Sequence, residues 1–502
     1  MALAAVVAGS AALAWQADRA HREAANATQL KDYLIEILRQ YDGQNATSKA
    51  SALRSLDAAA QRMQGLTPDS RTRLELLCVL LDMYAERDLD EEGLAIAAKE
   101  LPTEPVWRHD DSDPIRLRAY ALAAWLRKEA GATAQARAEL QRAMRTYPEP
   151  HDAAYAEAMK IVGESWADEK NYQAAAQWQL AAMHLFEKAT TPVDPRLLYS
   201  RTLAGTYLTS LRQGRKGRAL VERALADLPP GDSKVRVYLC AIGAIHRELF
   251  GEFESARELL LENQAVVQRL GYTRMPEFYA SLRLENAFST GRFADARAAI
   301  DKAMASVQED ENSDRLAAIY AWRGEISFAQ GDTAAAAADF SAAATTLETN
   351  HPHSTASVHA RAMQAISLVA AGRIDAARDA LPSASGISDR YAIVAAHAAR
   401  GSLLNAEGRH DDALVAYQQA RDELDAEQAQ PAGIRDQLRE NRDAVRVRVW
   451  QAQAELAAGR TDLARATARE ARELGLATLG AQHPFMRELE KVDAALALPA
   501  SE

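Results

Sequence analysis

Four long polar side chains recur at one position of a repeated pattern in this sequence. They are Arg283, Arg323, Gln364 and Arg400, and each lies eight residues before a glycine. Stacking of the repeats would place them in register, and a column of guanidinium groups presents forked donors that suit carboxylates. This column therefore predicts a groove that clamps a peptide carboxylate or acidic side chains.

A local structural role is the alternative explanation for this column. An arginine beside a small helix residue can pack its aliphatic stem along a neighbouring helix and pair nearby, and the residues alone favour this explanation. Asn286 and His397, on helices of the same type, are further candidates for the groove. The candidate contacts to a partner are thus Arg283, Asn286, Arg323, Gln364 and Arg400.

Two other clusters of basic residues suggest binding of anions. The first crowds a single turn and could hold an acidic peptide or a phospholipid head group, although a solvated turn is favoured: Arg212, Arg215, Lys216 and Arg218. The second follows one helix face and consists of Arg435, Arg439, Arg442 and Arg446. Because acidic residues interleave with the second cluster, we expect an exposed face with internal ion pairs there.

The sequence shows no arrangement typical of catalysis or of metal binding. The tightest histidine group is His351, His353 and His359, and it lacks a carboxylate at zinc-protease spacing, so we interpret it as a loop between repeats. No nucleophile elbow, Cys/His pairing or phosphate-binding loop is present. Cys78 and Cys240 lie in apolar helical stretches and are predicted to be core residues. No enzymatic activity, metal or cofactor is expected.

Composition points to an all-α repeat protein. A chain of 502 residues is too long for one hydrophobic core. Good helix formers recur at i, i+3, i+4 and i+7, and aromatic residues make up only 6%. The formal net charge of −11 excludes a general nucleic-acid binder, which needs a basic face, so no nucleic-acid partner is expected.

A recurring glycine marks the repeats. Eight glycines each follow an apolar-periodic helix and can turn the chain into the next one: Gly131, Gly214, Gly251, Gly291, Gly331, Gly372, Gly408 and Gly459. Five residues after each stands an alanine, where a small side chain lets two helices approach closely: Ala136, Ala219, Ala256, Ala296, Ala336, Ala377, Ala413 and Ala464. A further unit makes its turn at Lys170, with Ala175 in the alanine position.

These segments resemble the tetratricopeptide repeat (TPR) family, most clearly at Arg323-Gly324-Glu325, Gln330-Gly331-Asp332 and Ala336. The resemblance implies a TPR-like solenoid of helical hairpins in a right-handed superhelix, with about ten repeats of roughly 36 to 43 residues. We divide the chain into an apolar segment 1–16, linker helices 17–66, a repeat array 67–475 and a terminal capping helix and tail 476–502.

The two ends resemble one kind of repeat protein more closely. The segment from Ala11 to Gln16, followed by Lys31 to Leu38, is similar to the entry into the TPR sensor region of bacterial membrane-anchored serine/threonine kinases, and Leu479 to Pro484 is similar to its exit. The chain contains no kinase motif. The resemblance implies that 1–16 is the end of a truncated transmembrane helix, since no basic residue precedes it as in a signal peptide.

The resulting prediction is a non-catalytic scaffold or sensor module that binds a protein or peptide in its concave groove. The implied location is the bacterial inner membrane, single-pass, with extracytoplasmic repeats, and the alternative is soluble and cytoplasmic. The alternatives for function are the sensor region of a membrane-anchored transcription regulator and a free-standing TPR adaptor. The oligomeric state is left open.

Overall fold

The computed structural model describes residues 49–64, 71–86, 89–270, 275–305, 313–350, 354–383, 389–428 and 430–497. Within these ranges it consists of 22 α-helices and no strand, so the predicted all-α TPR-like fold is confirmed. The apolar segment 1–16 and most of the predicted linker 17–66 lie outside the described residues. The chain divides into two compact units at Ala204 and Gly205.

The first unit contains α1 to α7 and the beginning of α8. Their bounds are α1 Lys49–Met63, α2 Arg71–Glu86, α3 Asp90–Glu100, α4 Asp113–Glu129, α5 Thr133–Thr146, α6 Ala153–Asp168, α7 Tyr172–Ala189 and α8 Pro195–Ser210. The even-numbered first helices stack on one another, α2 on α4 and α4 on α6. Their core is leucine- and alanine-rich, with Leu80, Leu81 and Leu126 fully buried.

The second unit contains the end of α8 and all later helices. Their bounds are α9 Gly214–Ala226, α10 Lys234–Leu249, α11 Phe253–Arg269, α12 Met275–Ser289, α13 Phe293–Ala305, α14 Ser313–Ala329, α15 Thr333–Asn350, α16 Thr355–Ala370, α17 Ile374–Ala380, α18 Arg390–Ala406, α19 His410–Gln428, α20 Ile434–Ala457, α21 Thr461–Thr478 and α22 Pro484–Ala497. Across the described ranges, α2 to α21 thus form ten consecutive helix pairs, and α22 follows them.

Local sequence explains where these helices begin and end. Several begin at a side-chain cap; Asp152, for example, accepts from the N–H groups of Ala154 and Tyr155 at the start of α6. Seven of the eight predicted glycines have positive φ between the two helices of a pair: Gly131, Gly251, Gly291, Gly331, Gly372, Gly408 and Gly459. Lys170 takes the same conformation, with φ 60°, in the unit that lacks the glycine. The turn pattern therefore holds at these positions.

The eighth position is two residues out of register. Arg212, not Gly214, has positive φ (61°) after α8, and Gly214 begins α9. Five residues after Arg212 stands Gly217, which is buried, whereas the predicted Ala219 is exposed. A Cβ atom on Gly205 would lie 2.6 Å from the carbonyl oxygen of Gly217, so these two glycines let α8 and α9 touch backbone to backbone. The alanine at 219 was assigned wrongly because the glycine at 214 was taken as the turn.

α20, which is the first helix of the last helix pair, lies along the interior of the second unit. It contacts α10 and α18, and its Ile434 and Leu438 share a core cluster with Val237 and Ile242 of α10. The face that bears Arg435, Arg439, Arg442 and Arg446 is directed towards the earlier first helices, as the ion pairs below show. The expectation of an exposed face is therefore wrong for Arg446, which is buried, and for Arg439 and Arg442, which are half-buried, whereas Arg435 is exposed.

The predicted single-pass membrane location is contradicted. In the ranges that the structure describes, no helix is both long enough and apolar enough to cross a bilayer. Even the longest, α20, carries charged residues on successive turns. The segment 1–16, on which that prediction rested, lies outside those ranges.

Candidate functional site

The second unit contains a cavity of about 520 Å³ between α14, α15, α16 and α20. This volume is in the range of ligand sites in proteins. α20 contributes four charged side chains to the lining, and α14 contributes more of the others than any other helix does. Its principal lining residues are Phe288, Asp314, Ala318, Trp322, Glu325, Phe340, Leu347, Ala356, His359, Arg439, Arg442, Asp443 and Arg446.

One wall of the cavity is apolar and aromatic. Phe340 reaches it across Gly324, where a Cβ atom would lie 3.0 Å from the phenyl ring, so the small residue makes room for the large one. Phe288 meets Trp322 edge to face with ring centroids 5.7 Å apart. Leu347 is buried beside these rings. Such a wall can bury an apolar group of a ligand.

The cavity is open to solvent on one side. Asp314 and Ala318 of α14 and Ala356 of α16 line it and are exposed. A ligand can therefore enter between the beginnings of these two helices. The small size of the two alanines keeps the opening wide.

The opposite wall consists of charged side chains from α20. Arg446 forms an ion pair with Glu325 of α14, and its two Nη atoms donate hydrogen bonds to that carboxylate at 3.2 and 2.5 Å. Arg442 donates one hydrogen bond, from Nη1 to Glu285 of α12 at 3.2 Å, and its guanidinium lies 5.5 Å from the ring centroid of Trp322. These ion pairs join α20 to α14 and to α12 across the interior of the second unit.

Arg439 is the cation of the cavity with the weakest pairing. Its Nε lies 3.8 Å from a carboxylate oxygen of Asp443, one turn later on α20, which is longer than a hydrogen bond. Its guanidinium also lies 4.6 Å from the ring centroid of Tyr391. Its donors therefore have capacity for a further acceptor.

Two histidines near these arginines, the half-buried His359 and the fully buried His483, are held neutral. Burial, and then the charges of Arg439, Arg446 and Arg442, lower the pKa of His359 well below its ordinary value. Burial and the charges of Arg442 and Arg446 lower the pKa of His483 in the same way. The Nδ1 atom of His359 is buried and has no hydrogen-bond partner among the described residues. His359 lines the cavity, but this nitrogen is shielded from it.

The first helices carry buried carboxylates that hold α20 in place. Glu285 accepts from Arg442 and also from Arg435, at 3.4 Å. Glu440 of α20 is fully buried and accepts from Arg212 at 2.6 Å and from the hydroxyl of Tyr391 at 3.1 Å. Buried charges are tolerated only when they are paired, so these contacts fix the position of α20.

The predicted column of polar residues lies outside this cavity. Arg283 donates to Gln264 of α11 at 2.5 Å, and Arg323 donates to Asp339 of α15 at 2.5 and 2.9 Å. Gln364 accepts from Arg361 at 3.3 Å, and Arg400 is exposed. Three of the four thus make local contacts on or between helices, and none of the four lines the cavity. Their role as partner contacts stays a prediction.

Asn286 joins neighbouring repeats. It is buried, and its Nδ2 donates to Glu248 of α10 at 2.8 Å and to the carbonyl oxygen of Phe253 at 2.9 Å, while its Oδ1 accepts from Arg292 at 3.1 Å. Burial, together with the charge of Glu285, raises the pKa of Glu248 to about 8. Asn286 has all these partners within the chain, and it does not line the cavity.

The residues that build the cavity were not among the predicted site residues. The sequence pattern favours a solvated face for the arginines of α20 and a loop for His359. A signal was available in the spacing Arg-x-Glu, which occurs at Arg323 and Glu325 as well as at Arg283 and Glu285. In both cases the arginine pairs locally and the glutamate pairs with α20.

No protein-family profile and no curated protein matches the sequence. Solved structures are similar in fold. A Rap protein complexed with Competence and Sporulation Factor is 13% identical with a TM-score of 0.44, and the match covers 76% of this chain and 99% of that one. The apo form of the quorum sensor NprR from B. thuringiensis is 12% identical with a TM-score of 0.47, covering 71% and 97%. A human IFIT1 dimer with PPP-AAAA is 14% identical with a TM-score of 0.42, covering 84% and 94%.

These similarities concern the arrangement of helices and not function. The ten helix pairs of this chain show the TPR-like fold without them. The chain is therefore an all-α TPR-like repeat protein.

Proposed function

We propose that this chain is a non-catalytic binding scaffold whose second unit takes a peptide segment of a partner protein into the cavity between α14, α15, α16 and α20. The observation that carries the proposal is the cavity itself, about 520 Å³ in volume, with an aromatic wall opposite a wall of partly paired guanidinium groups. Sites of this kind bind by burying apolar groups and orient the ligand with a few polar ones.

A peptide satisfies both walls. Its apolar side chains would lie against Phe288, Trp322 and Phe340, while its carbonyl and carboxylate oxygens would accept from the arginines. The exposed Ala318 and Ala356 line the cavity, so the peptide would enter between them. The quorum sensor NprR and the Rap protein in complex with its factor share the TPR-like fold, and this likeness adds nothing beyond the fold.

The chemistry of the described residues favours binding over catalysis. Burial raises the pKa of the thiols of Cys78 to about 12 and of Cys240 to about 11, so neither is an activated nucleophile. Glu325, a carboxylate of the cavity, is paired with Arg446. An association with a serine/threonine kinase, suggested by the end segments, gains no support from the described residues.

Selection from a random peptide display library tests the proposal. The immobilised full chain is the bait, and a double variant with the cavity filled, Ala318→Trp with Ala356→Trp, is the comparison. Both alanines are exposed, so the new rings can occupy the cavity without disturbing the core. A matched control, Ala338→Trp, adds the same ring at an exposed position of α15 away from the cavity.

We expect peptides that bind the wild type and the control with similar affinity and bind the filled variant at least tenfold more weakly. Peptides that bind all three proteins equally, or a selection that yields no binder, would contradict the proposal.

A further inference from the structure

We propose that the cavity recognises an acidic side chain, flanked in the peptide by a bulky apolar residue, and that Arg439 and Arg442 bind its carboxylate beside His359. This inference rests on the proposed function and names the chemistry of its ligand. It follows from the donors that the cavity leaves unused and from the groups that surround them.

The arginines of α20 differ in how many of their donors are used. A guanidinium has five N–H donors in a planar fork. Arg446 places two bonds on Glu325, and a third contact, from Nη1, reaches the sulfur of Met363 at 3.4 Å. Arg442 makes the one bond to Glu285, and Arg439 makes no hydrogen bond to a described residue, since its contact to Asp443 is 3.8 Å long. Unused donors therefore concentrate at Arg439 and Arg442.

His359 is a neighbour of these arginines in the cavity. It lines the same cavity, and its buried Nδ1 lacks a partner among the residues that the structure describes. The charges that act on its pKa are those of Arg439, Arg446 and Arg442, all of which favour the neutral ring. A carboxylate placed beside Arg439 and Arg442 would gain two cations, next to a neutral imidazole that brings no charge of its own. Charge-assisted hydrogen bonds of this kind are the strong ones in a partly dry site.

The carboxylates of the cavity leave this position open to a ligand. Glu325 is held by Arg446, and Asp314 lies at the exposed mouth. Among the residues that the structure describes, Asp443 is the one carboxylate within 4 Å of a nitrogen of Arg439, and it belongs to the same helix, one turn later. The distance between Asp443 and Arg439 is longer than a hydrogen bond, so a carboxylate that lies closer to Arg439 would bind it more strongly. Asp443 is thus a weak internal competitor for the ligand.

The aromatic wall determines what accompanies the acidic group. Phe288, Trp322 and Phe340 line the cavity together with the carboxylate-binding groups, and the guanidinium of Arg442 lies 5.5 Å from the ring centroid of Trp322. An acidic residue held at Arg439 and Arg442 would therefore direct the next side chain onto these rings. Phenylalanine, tryptophan or leucine would bury the most apolar surface there.

The test uses the peptides selected on the full chain, synthesised with acetylated and amidated ends so that terminal charges do not contribute. Affinities are measured by fluorescence anisotropy for each peptide and for its Glu→Gln or Asp→Asn analogue. The protein variants are Arg439→Gln and Asp443→Asn. Neither residue forms a short ion pair, so both variants should fold, and thermal unfolding is compared with that of the wild type.

We expect selected peptides to be enriched in Asp or Glu next to an aromatic residue or leucine. Neutralising the acidic residue should weaken binding about tenfold or more, as the loss of a charge-assisted hydrogen bond does. Arg439→Gln should weaken the binding of the acidic peptide by a similar factor and leave the affinity of its amide analogue nearly unchanged. Asp443→Asn should tighten the acidic peptide by about threefold or more, because it removes a like charge and releases Arg439.

The outcomes separate the two proposals. If peptides bind and the filled variant loses them, but acidic residues are not enriched and the amide analogues bind equally, the acidic specificity is overturned and the peptide-binding function stands. Weaker binding of the acidic peptide to Asp443→Asn than to the wild type would also overturn the acidic specificity. If no peptide distinguishes the wild type from the filled variant, the proposed function itself fails.

Discussion

The guanidinium of Arg212 donates a 2.6 Å hydrogen bond to the carboxylate of Glu440, although 228 residues separate the two in the sequence. Arg212 occupies the left-handed turn after α8, and Glu440 lies on α20. Two further bonds join the same elements: the N–H of Ala432 donates to the carbonyl oxygen of Ser210 at 3.0 Å, and Gln437 donates to that of Thr209 at 3.0 Å. The turn that ends α8 is thus fastened to the beginning of α20.

Replacing Arg212 by alanine should destabilise the second unit strongly. Glu440 is fully buried, and without Arg212 its remaining partners are the Tyr391 hydroxyl and Arg390 at 3.5 Å. Removing one partner of a buried ion pair costs about 3 kcal/mol, because the other charge stays buried. The free energy of unfolding from urea titrations measures this loss.

Arg378→Ala is the matched control for that measurement. Arg378 pairs with Glu407 and Asp375 on an exposed surface, where solvent screens ion pairs and they add little to stability. Equal losses for the two variants would show that Arg212 and Glu440 do not form a buried pair in solution.

The two cysteines should be unreactive until the unit around them unfolds. Cys78 and Cys240 are buried and unpaired, and burial raises the pKa of their thiols to about 12 and about 11. Since only the thiolate reacts readily, the native chain should not react with a disulfide reagent at pH 8 within the time needed for full reaction in urea. Single variants Cys78→Ala and Cys240→Ala then give one thiol probe for each unit. Rapid reaction of either native thiol would contradict its burial.

The register of the turn after α8 can be tested with two glycines. A Cβ atom on Gly217 would overlap the carbonyl oxygen of Gly205, so Gly217→Ala should cost more than about 2 kcal/mol. Gly214 has no positive φ and begins a helix, so Gly214→Ala should be nearly neutral or slightly stabilising. If the turn were at Gly214, as the sequence pattern predicts, the order of the two effects would be reversed. Exposure of the Cys240 thiol in urea measures both.

Acid should destabilise the second unit through His246. This side chain is fully buried, and burial lowers its pKa to about 4, against about 6.5 in the unfolded chain. Because the folded pKa is the lower one, the unfolded state takes up a proton first as the pH falls. The contribution of His246 to stability is therefore complete above about pH 6.5 and is lost progressively towards pH 4.

Comparison with a variant isolates this contribution. Between pH 7.5 and pH 5, the free energy of unfolding should fall by about 2 kcal/mol more for the wild type than for His246→Leu. All other groups titrate alike in the two proteins, so this difference belongs to His246. The measurement is the free energy of unfolding at pH 7.5 and at pH 5 for each. Parallel losses in the two proteins would mean that the histidine does not lie buried and neutral in the folded chain.

The local structure of this chain follows from its sequence to a large extent. The glycines that end first helices and the alanines five residues later correctly predict most turns and close helix contacts, because these depend on residues a few positions apart. Arg212 shows the limit of such patterns: a non-glycine residue took the left-handed position, and the spacing alone could not distinguish it from Gly214.

The candidate cavity depends on contacts that no local pattern contains. Arg446 and Glu325 are 121 residues apart, and only the closing of the second unit brings them together. On the sequence, an arginine face with interleaved acids is the same whether it meets water or glutamates on other helices. The predicted column at Arg283 and Arg323 failed to indicate the cavity for a related reason, since each arginine found an acceptor on a nearby helix.

The pairing of Arg446 with Glu325 tests the central claim, that α20 lies inside the second unit and forms one wall of the cavity. A double-mutant cycle with Glu325→Gln and Arg446→Gln gives the coupling free energy between the two side chains from urea unfolding, followed by the thiol of Cys240. We expect a coupling free energy of about 1 kcal/mol or more, because the two residues are in contact. Effects that add to within about 0.3 kcal/mol would show that the two helices do not meet, and the cavity would not exist.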